Sequence, residues 1–257
     1  MEFRDQLDRA VNILNIPSRI VSLVPSQTEL LVDLGLENNI VGVTKFCIHP
    51  NGIRKKATVV GGTKNVNYQK IIDLNPDFIL CNKEENTLEM VENLESIAPV
   101  WISDMYNIED CKEMILKLGE IFQSEKAKNL VSEINLAQKD FQEFIESKPY
   151  KTVLYLIWKN PYMAAGQKTF INELLLLNKF KNALHDSESR YPEVVLEDFP
   201  EVDTILLSTE PYPFKSVDVD DLQKKLNKKV VLVDGEYFSW YGSRLLKAFN
   251  YFKSLHQ

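Results

Sequence analysis

Cysteine, histidine and basic surplus are all scarce in this 257-residue chain: three Cys, three His, and 30 Lys and Arg against 37 Asp and Glu. Cys47, Cys81 and Cys111 cannot all pair within one chain, and their spacing is no disulfide framework, which points to a reducing compartment. The net charge of −7 has the wrong sign for a nucleic-acid binder or for docking on anionic lipid. The Lys pairs at 55–56, 224–225 and 228–229 are short and read as solvated surface. No apolar run approaches the ~20 residues of a membrane span. The N-terminus, Met1 to Arg9, contains acids, and no apolar stretch of signal-peptide length follows. The expected location is therefore cytoplasmic as the chain reads, and periplasmic if a leader was trimmed. Catalytic signatures are missing too. There is no Gly-x-Ser-x-Gly elbow and no His-Glu-x-x-His helix. Gly61-Gly62-Thr63-Lys64 lacks the spacing of a phosphate-binding loop.

What is present is the composition of a soluble globular protein, 44% hydrophobic and 26% charged, enough for one large domain or two modest lobes. Arg19 to Val24 predicts a strand bounded by Pro25. Ser26 and Glu29 form a capping-box pattern, Leu30, Leu31 and Leu34 an apolar helix face, and Gly35 a stop. Strands are predicted at Ile40 to Val43, Phe78 to Cys81 and Val100 to Ser103. Helices are predicted at Tyr68 to Leu74, from the cap pair Asn86 and Glu89, and at Ile108 to Phe122. This alternation predicts a parallel sheet with crossover helices. Apolar residues then keep helical spacing from Ser124 to Glu146 without Gly or Pro, predicting one long helix, most simply a spine between two lobes. Strand and helix resume with Thr152 to Ile157, Thr169 to Leu177, Thr204 to Leu207, Val230 to Val233 and a closing helix from about Ser243 to Leu255. A faint echo between Asn75 to Leu80 and Glu201 to Leu206 fits two halves of one architecture.

In open parallel sheets, ligands bind beyond the carboxyl ends of the strands. The segments there are Pro25 to Thr28, Lys45 to His49, Asn82 to Asn86, Trp158 to Tyr162, Glu210 to Phe214 and Asp234 to Arg244. Their aromatics as a group suit a broad, partly apolar ligand, although any single ring equally closes a core. Cys47 with His49, two positions apart, is half of a nucleophile–base or metal pair. Glu84-Glu85 is a solvated turn or a carboxylate pair for acid–base work.

Arg19 to Leu30, with its Val24-Pro25-Ser26-Gln27-Thr28-Glu29 turn, resembles the first strand and helix of the helical-backbone substrate-binding proteins that serve ABC importers of vitamin B12, ferric siderophores and haem. Ile72 to Leu80 resembles that family's helix, Leu-x-Pro-Asp, strand element. The predicted 124–146 helix sits where the family has its interlobe helix. The likeness runs from about Phe3 to the end and is nearest the cobalamin-binding branch, through Asp234 to Ser239 and Arg244. It implies an α/β fold of two Rossmann-like lobes with parallel sheets (1–122 and 149–257), joined by a long rigid helix (123–148).

By the same resemblance Phe46, Trp158, Tyr162, Tyr237, Phe238 and Arg244 line an interlobe cleft. Tyr212, His49 and Trp240 join them from their loops. Glu197 stands where the second-lobe permease-docking Glu is expected. Gln69 stands where the first-lobe Glu is expected, and an amide cannot form that ion pair. The expectation is a monomeric, non-enzymatic binder of a cobalamin-like corrinoid or other metal chelate. It has no intrinsic cofactor, and it works with an ABC permease or as a leaderless cytoplasmic relative. The alternatives are a ferric-siderophore or haem binder, an enzyme acting on a chelate through Cys47, His49 or Glu84, and a direct metal-ion receptor.

Overall fold

The computed structural model describes residues 1–257. The chain is α/β and gathers into two compact units. The first is 1–105, 109–135 and 241–244; the second is 106–108, 136–240 and 245–257.

The first unit opens with an antiparallel hairpin, β1 (Glu2–Arg4) and β2 (Ala10–Asn12). Asp5 closes its turn, accepting from the amides of Leu7 and Arg9 at 3.0 Å and from the Arg9 guanidinium at 2.8 Å. The alternation follows: β3 (Ile20–Ser22), α1 (Pro25–Asp33), β4 (Ile40–Thr44), α2 (Ile53–Lys56), β5 (Thr58–Gly61), α3 (Tyr68–Asp73), β6 (Phe78–Asn82), α4 (Leu88–Glu95), β7 (Val100–Ser103) and α5 (Ile108–Ile121). The sheet runs β5-β4-β3-β6-β7, every pair parallel. β3, β6 and β7 are buried along their whole length, as expected of a parallel sheet covered on both faces. Val21, Leu23, Ile79, Cys81, Val100 and Ile102 pack with Ile71 of α3 and with Met90, Val91 and Leu94 of α4.

The long helix, α6 (Lys126–Ile145), has 20 residues and a length of roughly 30 Å. Its start lies against α5: a Cβ on Gly119 would come within 2.3 Å of the Ala127 methyl, so only glycine permits that approach. The helix is divided between the units after Asn135.

The second unit continues with β8 (Lys151–Trp158), β9 (Met163–Ala164), α7 (Phe170–Leu177), β10 (Phe180–Asn182), β11 (Thr204–Ser208), α8 (Ser216–Leu226), β12 (Lys229–Val233), α9 (Glu236–Ser239) and α10 (Leu245–Ser254). The parallel order is β10-β8-β11-β12, with β9 added antiparallel to β8. Leu154, Leu156, Ile205, Leu207 and Val230 form an aliphatic cluster with Phe214 and with Leu222 of α8. A second cluster is aromatic: Phe141 of α6 lies 6.0 Å from Phe249 and 5.9 Å from Phe252 of α10.

Several local readings are corrected. The capping box at Ser26 is absent: Val24 is the N-cap of α1, no side chain caps it, and Pro25 begins the helix, where a missing N–H costs nothing. Glu29 bonds elsewhere, as described below. Asn86 does not cap α4; Thr87 does, accepting from the Met90 amide at 3.2 Å. Asn86 instead accepts from the Asn82 amide at 2.8 Å. The closing helix runs Leu245–Ser254, close to its expected bounds. The hairpin, β5, β9, β10 and α8 have no counterpart in the sequence reading.

Candidate functional site

In the first unit the carboxyl ends of the strands are built from buried polar groups. α1 starts directly from β3, which brings Gln27 and Thr28 inside. Both are fully buried, so their polar atoms need internal partners. Thr28 Oγ1 donates within the helix turn to Val24 O at 2.9 Å and lies 2.8 Å from Ser22 Oγ. The Gln27 amide donates to Ser103 Oγ and, at 3.1 Å, to the Tyr241 hydroxyl. Asn82 caps the loop after β6, accepting from the amides of Glu84 at 2.8 Å and Glu85 at 3.2 Å. Its side chain donates to Ser103 Oγ at 3.0 Å.

After β4, Phe46 is half exposed and Lys45 Nζ lies 5.0 Å from its ring centroid. Cys47, the next residue, is sealed. Its sulfur is 3.1 Å from Thr28 Oγ1 and 3.3 Å from Thr44 Oγ1. Burial raises its pKa above the ordinary thiol value, so the reactive thiolate is disfavoured. His49 is half-buried. Nowhere does the chain bring three His, Cys, Asp or Glu side chains together in a metal-holding group.

The second unit presents rings. Trp158, at the end of β8, is 41% exposed. Tyr212 meets it edge-on at 5.6 Å and 71°, and Phe214 backs Tyr212 at 4.7 Å. Tyr162 is half-buried against the aliphatic cluster. Lys159 and Asp218 pair at 2.5 Å across the loop, and that bond holds the Asp218 carboxyl below its usual range. Tyr237 stacks on Tyr251 at 4.7 Å and 23°. Trp240 is buried at 7% exposure. Phe238 is completely buried, 5.2 Å from Tyr155 and 4.9 Å from Phe252. It builds the core and offers a ligand no surface.

Glu210 accepts from Ser239 Oγ at 2.8 Å, and burial pushes its pKa up. Gly235 is glycine because a Cβ there would come within 2.3 Å of Ser208 Oγ.

Arg244 was expected at a ligand. It is buried and makes a two-pronged ion pair with Glu29: Nε to Oε2 at 2.8 Å and a terminal nitrogen to Oε1 at 2.9 Å. The sequence reading missed Glu29, Gln27, Tyr241 and Glu210 as site-building residues. A signal for Glu29 was there: an acid directly beside the apolar Leu30-Leu31 pair, in a helix that must be buried, needs a cation. Of the expected docking residues, Glu197 is exposed and pairs with Lys225 at 3.0 Å, which lowers its pKa. Gln69 is exposed and donates to Asp73 at 2.7 Å.

Residues 20–226 match the family described as periplasmic binding protein. An ABC transporter substrate-binding lipoprotein of Bacillus subtilis, itself uncharacterized, is 29% identical over 95% of this chain and 81% of its own length. A vitamin B12-binding protein of Pectobacterium carotovorum is 25% identical over 91% of this chain and 86% of its own. Among solved structures, the periplasmic vitamin B12 binding protein BtuF of Vibrio cholerae superposes with a TM-score of 0.80 at 20% identity, over 93% of this chain and 96% of that one. The chain belongs to the periplasmic binding protein family.

Proposed function

We propose that this family member binds a flat, bulky metal chelate of the cobalamin type through the carboxyl-end loops of its sheets, and performs no chemistry on it. The observation that supports this most is Trp158, exposed yet braced by Tyr212 and, behind it, Phe214. A braced ring offers stacking area while losing little freedom when a ligand arrives. Phe46 is a second exposed ring, in the first unit. Tyr162, Tyr212 and Tyr237, all half-buried, and His49 are further contacts in this proposal. Trp240 is buried and has little surface to offer. The sealed, protonated Cys47 argues against a nucleophile, and the paucity of converging ligand groups argues against a bare metal ion as cargo.

The names of the relatives supply the corrinoid and the partner, an ABC permease. Glu197 is the proposed docking residue, and its Lys225 pair has to open or be shared for that. With Gln69 in place of a carboxylate, the first-unit contact is uncharged at that position. A relative that stores its ligand or hands it on, without a permease, needs neither.

The test is a titration with cyanocobalamin, haemin and a ferric hydroxamate chelate, followed by absorbance and heat. A one-to-one cyanocobalamin complex with a Kd of about 1 μM or tighter is expected. Silence with all three removes the proposal. Cell fractionation would look first in the periplasm or on a lipid anchor, where the relatives' names place them. Recovery in the cytosol would favour storage or hand-on.

A further inference from the structure

Residues 241–244 group with the first unit although both neighbours, Trp240 and Leu245, belong to the second. Three of these four residues are keyed separately. The Tyr241 hydroxyl accepts from the Gln27 amide at 3.1 Å and lies 3.5 Å from Ser103 Oγ. The Gly242 amide donates to Cys111 Sγ at 3.0 Å. Gly242 has a φ of +97°, and a Cβ there would come within 3.3 Å of Leu30. Arg244 pairs with Glu29 on α1, both side chains being at most 8% exposed. The preceding loop carries Tyr237 and Trp240 and is fixed at its other end inside the second unit. There Asp234 N donates to the Tyr251 hydroxyl at 2.8 Å, Gly235 N to Thr209 Oγ1 at 2.9 Å and Ser239 Oγ to Glu210 at 2.8 Å.

We infer that Glu29 is a positioning residue for ligand binding. It holds Arg244, and through Arg244 the 241–244 strap within the first unit, so that the chain directly following the 234–240 loop is ordered before any ligand arrives. Arg244 acts through this pair, not by touching the ligand. The inference rests on the binding role proposed above. Its physical basis is preorganisation: a loop already ordered does not lose that freedom on binding, and a two-pronged Arg–carboxylate pair fixes direction as well as distance.

The experiment compares wild type, Glu29→Gln and the double variant Glu29→Met/Arg244→Met, by amide hydrogen exchange without ligand and by cyanocobalamin titration. In both variants the amides of 236–242 should exchange about ten-fold faster or more, while those of β8 and β11 keep their protection. Cyanocobalamin affinity should fall about ten-fold. The double variant tells positioning from bulk stability, because replacing a buried ion pair by apolar side chains of similar size restores stability. It should recover the wild-type Tm and still show the fast loop and the weakened binding.

Loop exchange unchanged in the folded variants overturns the inference, and so does a double variant that binds as tightly as wild type. If Glu29→Gln does not fold, Arg244→Lys, which keeps the charge and loses the fork, takes its place with the same two readouts. If wild type takes up no cyanocobalamin, the binding role fails, and loop exchange still decides whether Glu29 holds the strap.

Discussion

The two units use the same alternation of strand and helix and finish their strand ends with different chemistry. In the first, the ends are tied by buried hydrogen bonds among Gln27, Asn82, Ser103 and Tyr241, and one ring, Phe46, stands out. In the second, hydrogen bonds such as Gly235 N to Thr209 Oγ1 are joined by ring pairs, Phe238 with Tyr155 in the core and Tyr212 with the exposed Trp158. Hydrogen bonds fix direction and leave small, polar ends. Stacked rings fix area and leave broad, apolar ones. A shared architecture therefore says little about what each half contributes, and the difference lies in a few side chains at strand termini.

That contrast makes measurable demands. The largest effect should come from Phe238→Ala. Losing a fully buried ring should cost about 3–5 kcal/mol in urea unfolding; a cost under about 1 kcal/mol would mean the ring is no core residue. Next is Gln27→Leu, which strips the Tyr241 and Ser103 hydroxyls of a buried partner. A loss of about 1–3 kcal/mol is expected, and a neutral outcome would break the claim that the first unit's ends depend on hydrogen bonds. Trp158→Ala should barely change the unfolding midpoint, yet weaken cyanocobalamin binding about ten-fold. Equal binding by this variant would leave the second unit's rings structural.

The smallest effect concerns pH. His256 stacks on Phe180 at 5.0 Å, and burial, helped by Lys151 and Lys148, lowers its pKa from 6.5 to about 4. The unfolded chain therefore binds the proton more readily, so stability should decline as pH falls from about 6.5 toward 4. His256→Phe should flatten that part of the pH profile, measured by thermal melts, and an unchanged slope would count against it.

Much of the fold was legible because it rests on local pattern. The β6 strand and α6 announced themselves through continuous burial and through period, and Gly35 with φ of +87° ended α1 as a glycine should. Elements of two to four residues, β2, β5, β9 and β10, have too few positions to show a period, and their partners lie far along the chain. Glu29 shows the other limit. Its spacing from Ser26 satisfies a capping box, yet its partner is 215 residues away, and no window around Ser26 contains that fact. Phe238 and Trp158 are alike as loop aromatics in sequence. Only packing tells the buried ring from the exposed one.

The three thiols have a consequence for where such a chain can work. Cys47, Cys81 and Cys111 are all free and buried, and burial drives the pKa values of Cys81 and Cys111 up to about 12. An oxidant or a foreign disulfide attacks exposed thiolates, and this surface offers none. Sealed in this way, none of the three sulfurs stands where a partner thiol could reach it.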